Sequence, residues 1–213
     1  MPRGRFITFE GGEGTGKSTH TRLLAAALED RGREVVLTRE PGGTPEAEKV
    51  RALLVTGDVS RWSPTAEALL NYAARDDHIR RVIAPALARG AWVISDRFHD
   101  STRAYQGITG GADMRLIDTL ETCVLGETVP DLTFVLDVGS REGLSRAAGR
   151  IGAPGDPEDR FERKGEDFHR RLREAFLHIA RSDPERCIVI DTTRSVEEVA
   201  ASIWQGVVSR LGG

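Results

Sequence analysis

The eight residues Gly11-Gly12-Glu13-Gly14-Thr15-Gly16-Lys17-Ser18 constrain this 213-residue chain more than any other stretch. They fit G-x-x-x-x-G-K-[ST], follow the apolar run Phe6-Ile7-Thr8-Phe9 and open a segment of helical pattern. Glycines in such a turn let successive backbone N–H groups converge on phosphate oxygens, and the start of the following helix adds its positive dipole end. The alternative, a glycine-rich turn that merely links strand to helix, leaves the strand–loop–helix context unexplained. Gly11, Gly12, Gly14, Thr15 and Gly16 are therefore expected to cradle a nucleotide triphosphate. Lys17 would bridge its β- and γ-phosphates, and the Ser18 hydroxyl would help to hold Mg²⁺. Thr19, one place further on, could reach the α-phosphate, although a Thr at a helix N-terminus needs no ligand to justify it.

Short runs rich in Val, Ile, Leu and Phe, at 5–10, 34–38, 92–95, 132–138 and 187–191, alternate with longer helical stretches. The helices are expected at 17–30, 45–54, 65–88, 114–125, 141–149, 165–181 and 196–211, several closed by glycine. Continuous rather than alternating apolar strands suit a parallel sheet covered on both faces. A doubly wound α/β fold in a single domain spanning 1–213 follows. Pro85 lies inside the long 65–88 segment, where it would kink the helix or divide it. Residues 150–159 hold two prolines and two glycines among polar neighbours and read as a loop.

No apolar stretch reaches the roughly 20 residues of a membrane span, and the N-terminal apolar run is too short for a secretory leader, so a cytoplasmic protein is expected. A net charge of −3 argues against a nucleic-acid polymer as partner. Cys123 and Cys187 suggest neither disulfides nor zinc, and the histidines at 20, 78, 99, 169 and 178 form no ligand set. The sole asparagine, Asn71, is followed by Tyr72, so the Asn-Lys-x-Asp element of guanine-nucleotide switches is absent.

The third strand ends Val93-Ile94-Ser95-Asp96-Arg97, which puts an acid and a base at the carboxyl end of a sheet strand, where open α/β sheets bind ligands. Asp96 could orient Mg²⁺ through water and Arg97 could grip a phosphoryl group, unless the two form only a surface ion pair. Arginines recur near strand ends, at 39, 51, 75, 97, 150 and 160, as a site joining two phosphorylated molecules would require.

The runs Thr38-Arg39-Glu40-Pro41-Gly42-Gly43-Thr44, Asp96 to Gly107 (Asp-Arg-Phe-His-Asp-Ser-Thr-Arg-Ala-Tyr-Gln-Gly) and Pro130 to Val138 resemble bacterial thymidylate kinases. They are well separated, correctly ordered relative to the glycine-rich loop, and span nearly the whole chain. The resemblance implies a nucleoside-monophosphate kinase fold on a five-stranded parallel sheet, transfer of the ATP γ-phosphate to dTMP with Mg²⁺, and a cytoplasmic homodimer. It implies that Glu13 reaches toward the acceptor sugar and the metal, and that Arg39, Arg51 and Arg97 bind the dTMP phosphate. Arg75 would donate to a thymine carbonyl, and Thr102 and Gln106 would meet the base. Tyr105 would lie beneath the deoxyribose, with Glu40, Pro41 and Ser101 on the same acceptor side.

Two positions depart from the family pattern. Asn71 stands where a base-stacking phenylalanine is usual, so either its amide plane or Tyr72 would face thymine. The loop holds no basic residue besides Lys17, which moves the catalytic arginine to a lid at about 147–164. Arg150, Arg160 and Arg146 are the candidates there, Asp159-Arg160-Phe161-Glu162 resembling the family's Asp-Arg-Ile-Glu. Asp191-Thr192-Thr193 resembles the adenine-side loop, Thr193 included, although a simple helix cap would read the same way. Another nucleotide kinase and an ATP-driven switch are the rival readings.

Overall fold

The structure, a computed structural model, describes residues 3–148 and 160–212. Among these, five strands form one parallel sheet: β1 (Phe6–Glu10), β2 (Val35–Arg39), β3 (Trp92–Asp96), β4 (Leu132–Asp137) and β5 (Cys187–Asp191), in the order β2-β3-β1-β4-β5. Every expected strand is present to within a residue or so at each end. The chain starts at the centre of the sheet, and β1 is flanked by β3 and β4, so the loop after β1 lies between the loops that follow both neighbours.

Successive residues of these strands point to opposite faces. Ile7, Phe9, Ile94, Phe134 and Leu136 pack with α1 (Lys17–Glu29) and α9 (Val196–Leu211). Phe6 and Val93 face the other way, onto α3 (Pro64–His78) and α6 (Met114–Leu125). On that same face Val135 packs with Tyr105 and α8 (Glu166–Ser182). Two apolar layers on one sheet explain why the strands read as continuous hydrophobic runs. The remaining helices include α2 (Pro45–Val55), α4 (Ala84–Ala88), α5 (His99–Thr102) and α7 (Ser140–Ala148). No helix among the described residues is long and apolar enough to cross a membrane.

Two details depart from the expectation. The 65–88 segment is three pieces, α3, a π-helical turn at Ile79–Ile83 and α4. The break thus lies ahead of Pro85, whose missing N–H cannot serve the turn before it. The second is a helix where none was expected: α5 runs into a π-helical segment at Arg103–Thr109 that carries Tyr105 and Gln106. Its buried face is largely polar, so no apolar period announces it, and single π turns commonly collect at functional sites.

Candidate active site

The chain leaves β1 at Glu10 and turns through 11–16 into α1. Gly14 has φ +69°, and a Cβ there would lie 1.9 Å from the carbonyl oxygen of Gly143 in α7. Gly143 is confined too, since its own Cβ would fall 2.6 Å from the Glu13 carbonyl oxygen. Backbone therefore packs directly on backbone where the loop meets α7. Lys17 lies over the loop and donates to the Gly11 and Gly12 carbonyls at 3.1 and 2.6 Å. Burial and the neighbouring Arg97 lower its ammonium pKa to about 8, against the opposing pull of Glu13 and Asp96. Thr15 closes on the Gly12 carbonyl at 3.1 Å, while Gly16 is the residue before α1 and Thr19 is exposed in its first turn.

Phe9 is in register with Asp96 on the adjacent strand, so the first turn of α1 comes to the end of β3. There the Ser18 hydroxyl donates to Asp96 Oδ2 across 2.7 Å. The next residue, Arg97, has φ +71°, the one non-glycine residue in the left-handed region among those described. Such backbone is uncommon for a bulky side chain and persists where the surroundings hold it. Arg97 N–H donates to Phe9 O, and its guanidinium turns back to Gly11 O (2.9 Å), Glu13 Oε1 (2.8 Å) and the Tyr105 hydroxyl (2.9 Å). Tyr105 in turn donates to the same Glu13 oxygen across 2.8 Å, and its ring lies 5.0 Å from the guanidinium. Burial alone would raise the Glu13 carboxyl, but Arg97 and Lys17 outweigh it and hold the pKa at about 2.

Across the cleft lies the Glu40-Pro41 corner, joined by a cis peptide. Arg51 donates to Pro41 O at 3.1 Å, and the half-exposed Arg39 pairs with Glu48 at 3.1 Å. Together with residues 13–18, Asp96 and Arg97, these two arginines and Glu40 enclose a cavity of about 160 Å³. Loop and arginines thus meet in one space, although the sequence holds them in three separate runs.

Deeper in, Glu40 is buried and accepts from Arg75 Nε at 2.7 Å, while His78 Nδ1 lies 3.0 Å from its other oxygen. Arg75 spends Nη2 on Phe98 O and Thr102 Oγ1, both at 3.1 Å, and its guanidinium stacks 4.6 Å above the Tyr72 ring. Its Nη1 is buried with no protein partner among the described residues. A donor so placed costs stability unless something accepts from it. Asn71 directs its amide nitrogen back to Glu67 O in its own helix at 2.9 Å. Tyr72 is buried in the core beneath Arg75, whereas Asn71 is only partly buried. Gln106 donates to Glu67 Oε2 at 2.9 Å.

The expected role of Arg160 needs correction. Its side chain is 0% exposed and donates to the carbonyls of Leu54, Asp58 and Val59 and to Glu67 Oε1. With its donors so committed it is a clasp between the chain at 160 and the α2–α3 connection, not a cation presented to the glycine-rich loop. Arg150 lies outside the described residues, as does most of the segment 147–164. Arg146 donates to Thr192 O at 3.0 Å and pairs with Glu142. Thr193 bonds to Asp191 within its turn, and the cap of α9 is a separate Ser195–Glu198 box, so a helix cap does not explain Asp191-Thr192-Thr193.

Some residues that build the site escaped the sequence reading. Glu10, fully buried, accepts from Phe98 N–H (2.8 Å) and the Ser101 hydroxyl (2.6 Å), which fixes the turn around Arg97. Burial and the nearby Asp100 raise its pKa to about 8. Glu67 and His78 sit in an ordinary helical context; only their burial marks them.

A family model described as Thymidylate kinase matches residues 9–203. Among curated proteins, the thymidylate kinase of Caulobacter vibrioides is 57% identical over 212 residues, covering 100% of both chains. That of Rhodopseudomonas palustris is 54% identical over 98% of this chain and 90% of its own. A solved thymidylate kinase from Ehrlichia chaffeensis superimposes with a TM-score of 0.78 at 35% identity, covering 97% of this chain and 100% of that one.

Proposed function

Since the chain belongs to the thymidylate kinase family, we propose that its cleft transfers the γ-phosphate of ATP to dTMP through the residues that line it. The observation that carries this reading is the 160 Å³ cavity, where the glycine-rich loop and the arginines 39, 51 and 97 share one space. A loop built for one polyphosphate needs no such second set of cations; an anionic acceptor does, because it would otherwise repel the group it attacks.

In this reading the backbone of residues 11–16 and Lys17 hold the donor, with Ser18 and Thr19 in the first turn of α1. Thr193 lies on the adenine side. The side-by-side hydroxyl of Ser18 and carboxylate of Asp96 are hard oxygen ligands suited to Mg²⁺, which when bound supplies neutralising charge on the phosphates. Arg97, with Arg39 and Arg51, takes the acceptor phosphate, and Glu13 keeps Arg97 aimed across the loop. Tyr105 underlies the sugar. Arg75 presents Nη1 to a base carbonyl, with Thr102, Gln106, Asn71, Ser101, Glu40 and Pro41 completing the acceptor side. An oxygen of the acceptor phosphate attacks the γ-phosphorus, the β–γ bridging P–O bond breaks, and ADP leaves with that electron pair. Arg150 remains the arginine proposed for the lid. A single catalytic domain acting as a cytoplasmic homodimer accompanies the proposal.

A coupled assay of ADP release with MgATP and a panel of dTMP, dUMP, thymidine, CMP and AMP tests it. Turnover should be greatest with dTMP. Equal turnover with CMP or AMP, or slow hydrolysis indifferent to any acceptor, would overturn the assignment. Light scattering at the mass of one chain would remove the dimer.

A further inference from the structure

One carboxylate holds both the clasp Arg160 and the amide of Gln106. Glu67 lies in the first turn of α3, behind a Ser63 cap and Pro64, and its side chain is 2% exposed. Its Oε1 accepts from Arg160 Nη2 at 2.6 Å, with the Lys164 ammonium 3.8 Å away, and its Oε2 accepts from Gln106 Nε2 at 2.9 Å. The two ends of a glutamine amide are chemically opposite, one donating and one accepting, and neighbours decide which way it turns. A carboxylate only accepts. Beside Glu67 the nitrogen end must therefore face the carboxylate, and the carbonyl oxygen is turned away from it.

We infer that Glu67 is a positioning residue that sets the polarity of Gln106 and thereby selects the hydrogen-bonding edge of the acceptor base. The inference rests on the acceptor pocket described under the proposed function. Arg75, with its buried and unpartnered Nη1, can only donate. Gln106, held by Glu67, presents an acceptor. The matching edge is a carbonyl beside an N–H, the imide of thymine or uracil. Cytosine offers an amino group and a bare ring nitrogen at the same places and meets like with like at both. Polar mismatch in a buried site discriminates far more strongly than a difference in size. Arg160 and Lys164 balance the charge of Glu67, which a buried carboxylate requires.

The test compares kcat/KM for dTMP and dCMP in wild type, Glu67→Gln, Gln106→Leu and the double variant Glu67→Gln/Gln106→Leu. A neutral amide at 67 can donate as well as accept, so Gln106 is released to turn. Expected for Glu67→Gln is a fall of about tenfold or more in the dTMP:dCMP ratio, expressed in the nucleotide KM, with the KM for ATP within about twofold of wild type. In the Gln106→Leu background the same change at 67 should move the ratio no further. Because Glu67→Gln leaves Arg160 buried without its counter-charge, the variant Glu67→Gln/Arg160→Met, which removes both charges, provides the same reading should the single variant fail to fold. An unchanged ratio in folded protein, whatever happens to overall turnover, would overturn the inference and leave Glu67 as a clasp alone. Wild-type protein that uses dCMP as readily as dTMP would overturn the function reading first, and the inference with it.

Discussion

Arg97 and Glu13 are joined across 2.8 Å, a contact that ties the end of β3 to the middle of the phosphate-binding loop. Tyr105 bonds to both partners, so three residues from two separate runs close one ring of charge-assisted hydrogen bonds. An arginine held this way is aimed before any ligand arrives, and charge placed in advance of the reaction contributes most to transition-state stabilisation.

Replacing Arg97 should therefore cost turnover more than donor affinity. Arg97→Ala is expected to lower kcat about 10²–10³-fold, the range seen when one oriented donor is removed from a reacting oxyanion. Arg97→Lys keeps the charge but loses the planar fork, so most of that loss should persist. Titration calorimetry with ATP should return affinities within about threefold of wild type. A variant with normal kcat would leave Arg97 a structural role only.

Donor binding should weaken above pH 8. Lys17 in the free protein has its pKa lowered to about 8, so it is charged below that pH and increasingly neutral above it. Polyphosphate favours the charged form, so binding above pH 8 must draw a proton from solution, and affinity should fall by up to about tenfold per pH unit. Calorimetry at pH 9 in buffers of different ionisation enthalpy would report this uptake. Release of protons, or none exchanged, would contradict the assignment.

Arg160→Ala should unfold the protein more readily instead of stalling the reaction. Removing Arg160 strips the buried Glu67 carboxylate of its nearest counter-charge and leaves it only Lys164 at 3.8 Å, at a cost of up to about 3–5 kcal/mol. A drop in Tm of about 6–20 °C is expected for a chain of this length, and it should be partly recovered by adding Glu67→Gln. Unchanged Tm with a lowered kcat would return Arg160 to the phosphoryl group.

The fold was readable wherever one physical requirement dominates local sequence. Strands buried on both faces, as at Ile7, Phe9 and Val135, are predominantly apolar, their few buried polar residues such as Thr8 and Thr133 pairing with each other, and the glycines at 11, 14 and 16 must adopt backbone that other residues avoid. The order of the strands was not, because pairing partners such as Phe9 and Asp96 lie far apart in the chain. Asp96, Arg97 and Tyr105 stood out by position and motif. Glu67 did not: an acid in the first turn of a helix is ordinarily explained by the helix dipole, and nothing near it in sequence reveals that Gln106 and Arg160 converge on it. Arg160 misled for the converse reason, since a basic residue beside a Pro/Gly-rich run reads as a finger until its burial is known.

Where the loop meets α7, Gly14 against the Gly143 carbonyl and Gly143 against the Glu13 carbonyl leave room for hydrogen atoms only. Random codons introduced at the two positions together, under selection for growth on this activity, would thus be expected to return glycine at both. A methyl group on either residue would wedge the loop and α7 apart, and no change at the other residue could make space, since the obstructing atoms belong to the main chain. Each codon is thus held to glycine by main-chain atoms, whatever side chain stands at the other position.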